Sequence, residues 1–318
     1  MEAAIDEYET FMTKVKENKR KSATTTAARL RSFFPHVDEA LSSQTPKKCG
    51  AYYEALTTRL TRFKRPVAAD THRNMLLEAK TFFAWCISKK WLRANPLELV
   101  KGQGRRKHGK PQLRVNEARK WLDTAVEVAE DAMKSPKKRR ELEGSVAALC
   151  TLLLGTRSLE TMVRVVRDLD DDGRLLWIED TKTAAGKRTL HVPPELRRYL
   201  LHLAHGKKPN DLLFGEHDRA FPRLWVKRLC LKAGVPVVGA HSMRGFHATL
   251  AVIGGFSVRE VANKLGHEEE STTLQSYADA GAVAGEKQRQ ALRVLSGGKD
   301  REGGTETSAY RSQAVFGR

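Results

Sequence analysis

Residues 241 to 281 read "HSMRGFHATLAVIGGFSVREVANKLGHEEESTTLQSYADAG", and the reading of this stretch decides that of the whole chain. Apolar residues recur at three- and four-residue spacing through MRGFHATLAVIGG and SVREVANKLG, so two helices are expected. His241 and Arg244 stand three residues apart and share a helix face. A Leu-Gly turn precedes His267, and Tyr277 follows ten residues later. Histidines that move protons, an arginine that holds charge and a tyrosine that can act as nucleophile are gathered in one segment.

Working outward, "LLLGTRSLE" (152 to 160) places Arg157 just after a helix-ending Gly155, with Glu160 one turn further on. LLWIE (175 to 179) and RTLHV (188 to 192) are the clear β content, a hairpin stopped by Pro193-Pro194. Its turn, DTKTAAGK, offers Lys182, which directly follows the first strand; Lys187 and Arg188 compete for the same role. His247 is read as a helix-face packing residue, His191 as a strand side chain, and Tyr310 as a tail residue with no helix to aim it.

The segment leading into that hairpin, DLDDDGRLLWIE (168 to 179), satisfies the calcium-loop pattern through Asp168, Asp170, Asp172, Gly173 and Glu179. A calcium loop needs a helix leaving its last ligand. Here LLWIE is a strand, so Asp171, Asp172 and Gly173 are read as a tight turn and no metal site is expected.

The chain has 318 residues, 40% of them hydrophobic, enough for two domains with separate cores. No apolar run approaches the roughly 20 residues that span a bilayer, and the acidic start MEAAIDEYETF lacks a signal-peptide hydrophobic region. Neither a membrane nor a secretory route is expected. Cys49, Cys86, Cys150 and Cys230 are scattered, as reduced core thiols of a cytoplasmic protein would be. Fifty-seven Lys and Arg against 38 Asp and Glu, a net charge of +19, point to a polyanion.

The fold class that emerges is mainly α with a small antiparallel β-sheet. Helices are expected over Ile5 to Val15, Thr24 to Phe34, Cys49 to Phe63 and His72 to Trp91, with Ser22, Thr24 and Asp70 as caps. They form a basic helical domain, residues 1 to 100, closed by the breaker Asn95-Pro96. KGQGRRKHGKPQLR (101 to 114) carries six cations, three glycines and no acid, and reads as an extended linker whose Arg105, Arg106, Lys107, Lys110 and Arg114 could lie along a phosphate backbone. A second domain spans 115 to 296, ending in a helix over EKQRQALRVL (286 to 295), and residues 297 to 318 form a polar, glycine-rich tail.

The ordered set G-T-R-x-x-E, a lysine in a β-turn, H-x-x-R, L-G-H and then Tyr resembles the tyrosine recombinase (phage integrase, Xer-like) family over most of the chain. The resemblance implies an α+β catalytic domain at 115 to 296 behind a helical core-binding domain, together forming a C-shaped clamp on double-stranded DNA. It implies a site-specific DNA recombinase working through a 3′-phosphotyrosyl intermediate, without metal or nucleotide cofactor. Arg157 and Arg244 would hold the scissile phosphate, His241 would assist proton transfer, His267 would hydrogen-bond the phosphate, Lys182 would protonate the leaving 5′-oxygen, Glu160 would hold its neighbours and Tyr277 would attack. It implies a homo-tetramer on two DNA sites, with the tail docking on an adjacent protomer, in the cytoplasm on the nucleoid. Helices that begin almost at residue 1 leave no room for an arm-binding domain, which favours a simple recombinase.

Each residue type also suits the chemistry in its own right. Guanidiniums grip two oxygens at once and stay charged as negative charge builds on the phosphorus. A tyrosine, with a reference pKa of about 10, needs a base or cationic field to act near neutrality. Two features depart from the commonest family pattern: the ten-residue interval from His267 to Tyr277, where nine is frequent, and the acidic run Glu268 to Glu270. The rival readings are a type IB topoisomerase or telomere-resolvase-like strand transferase, and a non-catalytic DNA-binding protein on the same fold.

Overall fold

The structure, a computed structural model, describes residues 1–16, 20–105, 111–179 and 186–266. The chain divides into two compact units, Met1–Lys107 and His108–Arg318.

The first unit is built on α1 (Glu2–Lys14), α2 (Arg20–Phe33), α3 (Pro46–Thr58) and α4 (Ala69–Ser88). Its core follows the three- and four-residue spacing: Ile5, Tyr8 and Met12 from α1 meet Ala23, Ala27, Leu30 and Phe33 from α2. α4 adds Met75, Leu76, Ala79, Phe82, Phe83 and Cys86. Helix ends differ from expectation. Helix α2 starts at Arg20, so Ser22 and Thr24 lie inside it, and Thr24 Oγ1 donates to Glu9 on α1 at 2.7 Å. Asp70 lies in the first turn of α4, whose N-cap is Ala68. Helix α3 begins at Pro46, capped by Thr45, and stops at Thr58, so Phe63 lies beyond it in an exposed turn.

The start of the basic connection is tied down. Gln103 N donates to Tyr53 Oη at 2.8 Å, and Arg73 donates to the Gly104 carbonyl at 2.7 Å. With its oxygen accepting from Gln103, the Tyr53 hydroxyl proton goes to His72 Nδ1 at 2.9 Å. Burial, helped by neighbouring Arg73, pushes the His72 pKa down and keeps the imidazole an acceptor.

The second unit comprises α5 (Val115–Met133), α6 (Arg139–Leu153), α7 (Ser158–Met162), β1 (Leu169–Asp170), β2 (Leu175–Ile178), β3 (Arg188–His191), α8 (Pro194–Ala204), α9 (Phe221–Lys232), α10 (Ala240–Ile253) and α11 (Val258–Leu265). Helix α6 is its axis: every residue from Leu142 to Leu153 is buried, as expected of a helix surrounded by others. Helix α6 begins at Arg139, already inside the basic run KSPKKRR (134 to 140).

The sheet has the order β1-β2-β3, all antiparallel, with Leu175 opposite His191 and Ile178 opposite Arg188. Strand β1 was not foreseen, being only two residues long. The turn between β1 and β2 holds Asp171, Asp172 and Gly173 at φ 47, 50 and 78°, left-handed backbone that Asp and Gly tolerate best. Its carboxylates are engaged: Asp168 with Arg164 at 3.1 Å, Asp171 with Arg174 at 3.1 Å, and Asp172 with Arg197. No group of three or more His, Cys, Asp or Glu among the described residues could hold a metal ion.

All four cysteines are free and buried, and burial raises their pKa values, to about 11 for Cys49 and about 12 for Cys86. Among the described residues no helix is long and apolar enough to cross a membrane.

Candidate active site

Helix α6 ends at Leu153 with Leu154 as its C-cap, and Gly155 reverses the chain with φ 62°. A Cβ at Gly155 would lie 2.7 Å from the His247 ring and 2.8 Å from Leu265, so only glycine brings the two helices this close. Two residues later Arg157 is the N-cap of α7. Glu160, in the first turn of α7, accepts from Arg157 N at 2.8 Å and from Arg157 Nη1 at 2.5 Å.

Two further guanidiniums reach the same carboxylate. Arg188 of β3 donates Nη2 to Oε2 at 2.9 Å and Nη1 to Oε1 at 3.4 Å, and Arg244 Nη1 of α10 stands 3.9 Å from Oε2. Burial is the largest influence on Glu160 and pushes its pKa up. The hydrogen bond and charge of Arg188, the Arg157 N–H and the charge of Arg244 outweigh it, and the pKa falls to about 2. Three guanidiniums around one carboxylate leave a local charge of +2.

Arg244 also donates Nη1 to the Gly155 carbonyl and Nη2 to the Leu265 carbonyl at 2.6 Å, and Arg157 Nη2 donates to the Gly266 carbonyl at 3.3 Å. The end of α11 is thus held by both arginines. Helix α11 itself is fixed by Ser257, whose Oγ accepts from Glu260 N while Glu260 accepts from Ser257 N, and by Gly266 at φ 67°. Of the cluster, the Arg157 side chain is 33% exposed, whereas Glu160, Arg188 and Arg244 are at 6, 8 and 0%. Arg157 is the guanidinium open to a ligand.

His241 lies in the first turn of α10 and is exposed, while Arg244 one turn on is fully buried, so a shared helix side does not give them equal access to solvent. His247 is buried, and its Nδ1 donates to the Leu152 carbonyl at 2.8 Å. Burial is the main cause that takes its pKa down to about 4; the Leu152 carbonyl opposes this, and Arg244, Lys264 and Arg188 add to it. Lys187 and His191 are exposed. Arg105 and Arg114 are exposed, Arg114 as the N-cap of α5. Lys182, His267 and Tyr277 lie outside the described residues, as do Arg106, Lys107, Lys110, Glu268 to Glu270, the segment 286 to 295 and the tail.

Two arginines were missed as members of the cluster. Arg188 had been weighed only as a rival to Lys182, yet strand alternation places it on the same face as buried Leu190. Arg164 is fully buried; its Nε donates to the Glu160 carbonyl at 2.9 Å and its Nη1 to the Trp177 carbonyl at 2.8 Å, tying α7 to β2. Its ion pair with Asp168, four residues on, was the available sequence signal.

Residues 113–282 match the model of the phage integrase family, more than half of the chain. The chain belongs to the phage integrase family. It is a tyrosine-type site-specific recombinase. The tyrosine recombinase XerC of Mycobacterium sp. (strain JLS) is 26% identical over 297 residues, covering 86% of this chain and 93% of that protein. Among solved structures, the Tn1549 transposon integrase in complex with transposon right end DNA is 16% identical with a TM-score of 0.66, covering 90% of this chain and 99% of that one. A lambda integrase tetramer bound to a Holliday junction is also 16% identical with a TM-score of 0.66, covering 87% and 76%. These likenesses extend the family fold beyond the matched segment, into the first unit.

Proposed function

We propose that this integrase-family chain cleaves and rejoins double-stranded DNA through a 3′-phosphotyrosyl intermediate on Tyr277. The observation that carries the reading is the arginine cluster on Glu160: a charge of +2 in which one guanidinium, that of Arg157, is exposed. A phosphodiester approaching Arg157 meets preorganised positive charge as the pentavalent state forms. Arg244 shares Glu160 with Arg157 and donates to the Gly155 and Leu265 carbonyls. It therefore acts through charge and placement before any direct grip on the phosphate.

The Tyr277 oxygen forms a bond to phosphorus, the bond to O5′ breaks, and Lys182 supplies the proton to the leaving oxygen. His241, exposed at the start of α10, assists transfer of the proton away from the Tyr277 hydroxyl, and His267 hydrogen-bonds the phosphate. The phosphate bond passes from O5′ to tyrosine and back, so neither nucleotide nor metal is consumed. Arg105, Arg106, Lys107, Lys110 and Arg114 contact phosphates along the connection. The assembly is a homo-tetramer on two sites, with the tail docking in trans, in the cytoplasm on the nucleoid. The tetramer draws support from lambda integrase, which forms one on a Holliday junction.

The test is a nicked duplex carrying a site that the full-length protein has enriched from a random 40-base-pair library. A covalent adduct should appear on a denaturing gel with the wild type and vanish in Tyr277→Phe; an adduct that persists in the variant defeats the assignment. Lys182→Ala should slow cleavage of ordinary DNA but not of a 5′-thio substrate, whose leaving group needs no proton. Equal slowing on both moves the role towards Lys187.

A further inference from the structure

Between α3 and α4 the chain reads "RLTRFKRP" (59 to 66), and neither the catalytic reading nor the core accounts for it. All eight residues are exposed, Phe63 at 69% and Leu60 at 59%. A single exposed apolar residue is ordinary. This one sits on a preformed support.

Thr61 N donates to the Arg65 carbonyl at 2.8 Å, Lys64 N to the Thr61 carbonyl at 2.8 Å and Val67 N to the Arg59 carbonyl at 3.0 Å. Leu60 and Pro66 face each other in an antiparallel bridge. Lys64 has φ 54°, left-handed backbone that lysine seldom adopts, which closes the reversal immediately after Phe63. The base of the turn is fixed to α2, because the Arg59 guanidinium donates to the Ser32 carbonyl and to Ser32 Oγ, each at 3.1 Å.

The charge is one-sided. Arg59, Arg62, Lys64 and Arg65 are accompanied by no acidic residue between Glu54 and Asp70. The Arg62 guanidinium lies 4.6 Å from the centre of the Phe63 ring, so what stands beside the exposed ring is a cation. A partner for this surface must be strongly anionic and must also offer a flat apolar face. Duplex DNA has both, phosphates at regular spacing outside and stacked bases within. Apolar wedges flanked by Lys and Arg enter it between base steps.

We propose that the 59–66 turn is a DNA-contacting wedge in which Phe63 stacks at a base step while Arg62, Lys64 and Arg65 hold the flanking phosphates. The proposal rests on the DNA reading above and adds a contact outside the catalytic unit. Phe63 supplies affinity that salt does not screen, and the three cations supply affinity that salt does.

The full-length protein and the enriched duplex test both parts. Phe63→Ala should weaken binding about tenfold, the order expected for one lost base–aromatic stack, with the slope of log affinity against log salt unchanged. Phe63→Trp should restore binding and show added tryptophan quenching on the duplex. The triple variant Arg62→Ala/Lys64→Ala/Arg65→Ala should reduce the salt slope by roughly 2 to 3. A scan of 2-aminopurine through the site should find one position that brightens with the wild type and stays dark with Phe63→Ala. Thermal stability should be unchanged in all of these, since the side chains are exposed.

Unaltered binding by Phe63→Ala together with a flat 2-aminopurine scan overturns the proposal. Normal binding of one protomer with loss of cooperative binding by a second also overturns it, since the ring would then dock on another copy of the chain. Either result leaves the Tyr277 adduct on the wild type intact, so the recombinase reading survives it; failure of the wild type to enrich any duplex removes both.

Discussion

Glu160 and His247 are both buried and both feel the charges of Arg188 and Arg244, and their protonation runs in opposite senses. His247 is held neutral: its pKa falls from 6.5 to about 4, so the stability it contributes is present above pH 6.5 and is lost as pH falls towards 4. Glu160 is held ionised: its contribution is complete above pH 4.5 and is lost as pH falls towards 2. The first stage of acid destabilisation therefore belongs to His247, at about 3 kcal/mol for the full shift. His247→Asn keeps a donor for the Leu152 carbonyl and does not titrate. Its thermal midpoint should change less than that of the wild type between pH 7 and pH 4.5, and parallel curves would assign the loss to other groups. Arg188→Met should cost about 3 kcal/mol in the denaturant midpoint, as loss of one partner from a buried pair does, and should slow cleavage by loosening Glu160. The sequence brought Arg157, Glu160, His241 and Arg244 forward because each falls in a short spaced pattern. Arg188 stayed hidden for a physical reason: in a hairpin turn with three cations, only the register of β3, anchored by buried Leu190, decides which one points inward.

At the scale of elements, the helical pattern was legible wherever a helix has one wet face. Helix α6 is buried on all sides, so its start at Arg139 carried no periodic signal, and the polar run before it masked the boundary. What holds α6 against α9 was equally silent: a Cβ at Gly144 would overlap the Trp225 indole. Gly144→Ala should destabilise the protein by about 3 kcal/mol, the upper end of ordinary overpacking, because the axis of the unit must shift. Trp225→Leu removes the obstacle at the expense of a cavity. The double variant should then lose less stability than the two single losses combined, a coupling measurable by denaturant unfolding. Additive losses would place the strain elsewhere. The same reasoning reaches the site, since α10 carries Arg244 and the end of α11 carries Leu265 and Gly266, two of the carbonyls that receive the guanidiniums. Their geometry depends on Gly155, the one residue in that row whose need was visible in sequence only as a helix stop.

At the scale of the whole molecule, charge is shared unevenly. Met1–Lys107 holds 22 Lys and Arg against 11 Asp and Glu, a net +11, while the longer His108–Arg318 holds 35 against 27, a net +8. The smaller unit thus carries more than half of the +19 on about a third of the chain. A polyelectrolyte partner releases counterions in proportion to the phosphates neutralised, so the dense unit should dominate the salt dependence of binding. Arg20 and Lys21 on α2 and Lys227 and Arg228 on α9 are exposed pairs, one in each unit. With a 40-base-pair duplex at several salt concentrations, the full-length protein should show a steep negative slope of log affinity against log salt. Arg20→Ala/Lys21→Ala should flatten that slope by up to about 2, and Lys227→Ala/Arg228→Ala by much less. Equal effects from the two pairs would mean that the charge asymmetry serves solubility, and that phosphate contact is spread evenly over both units.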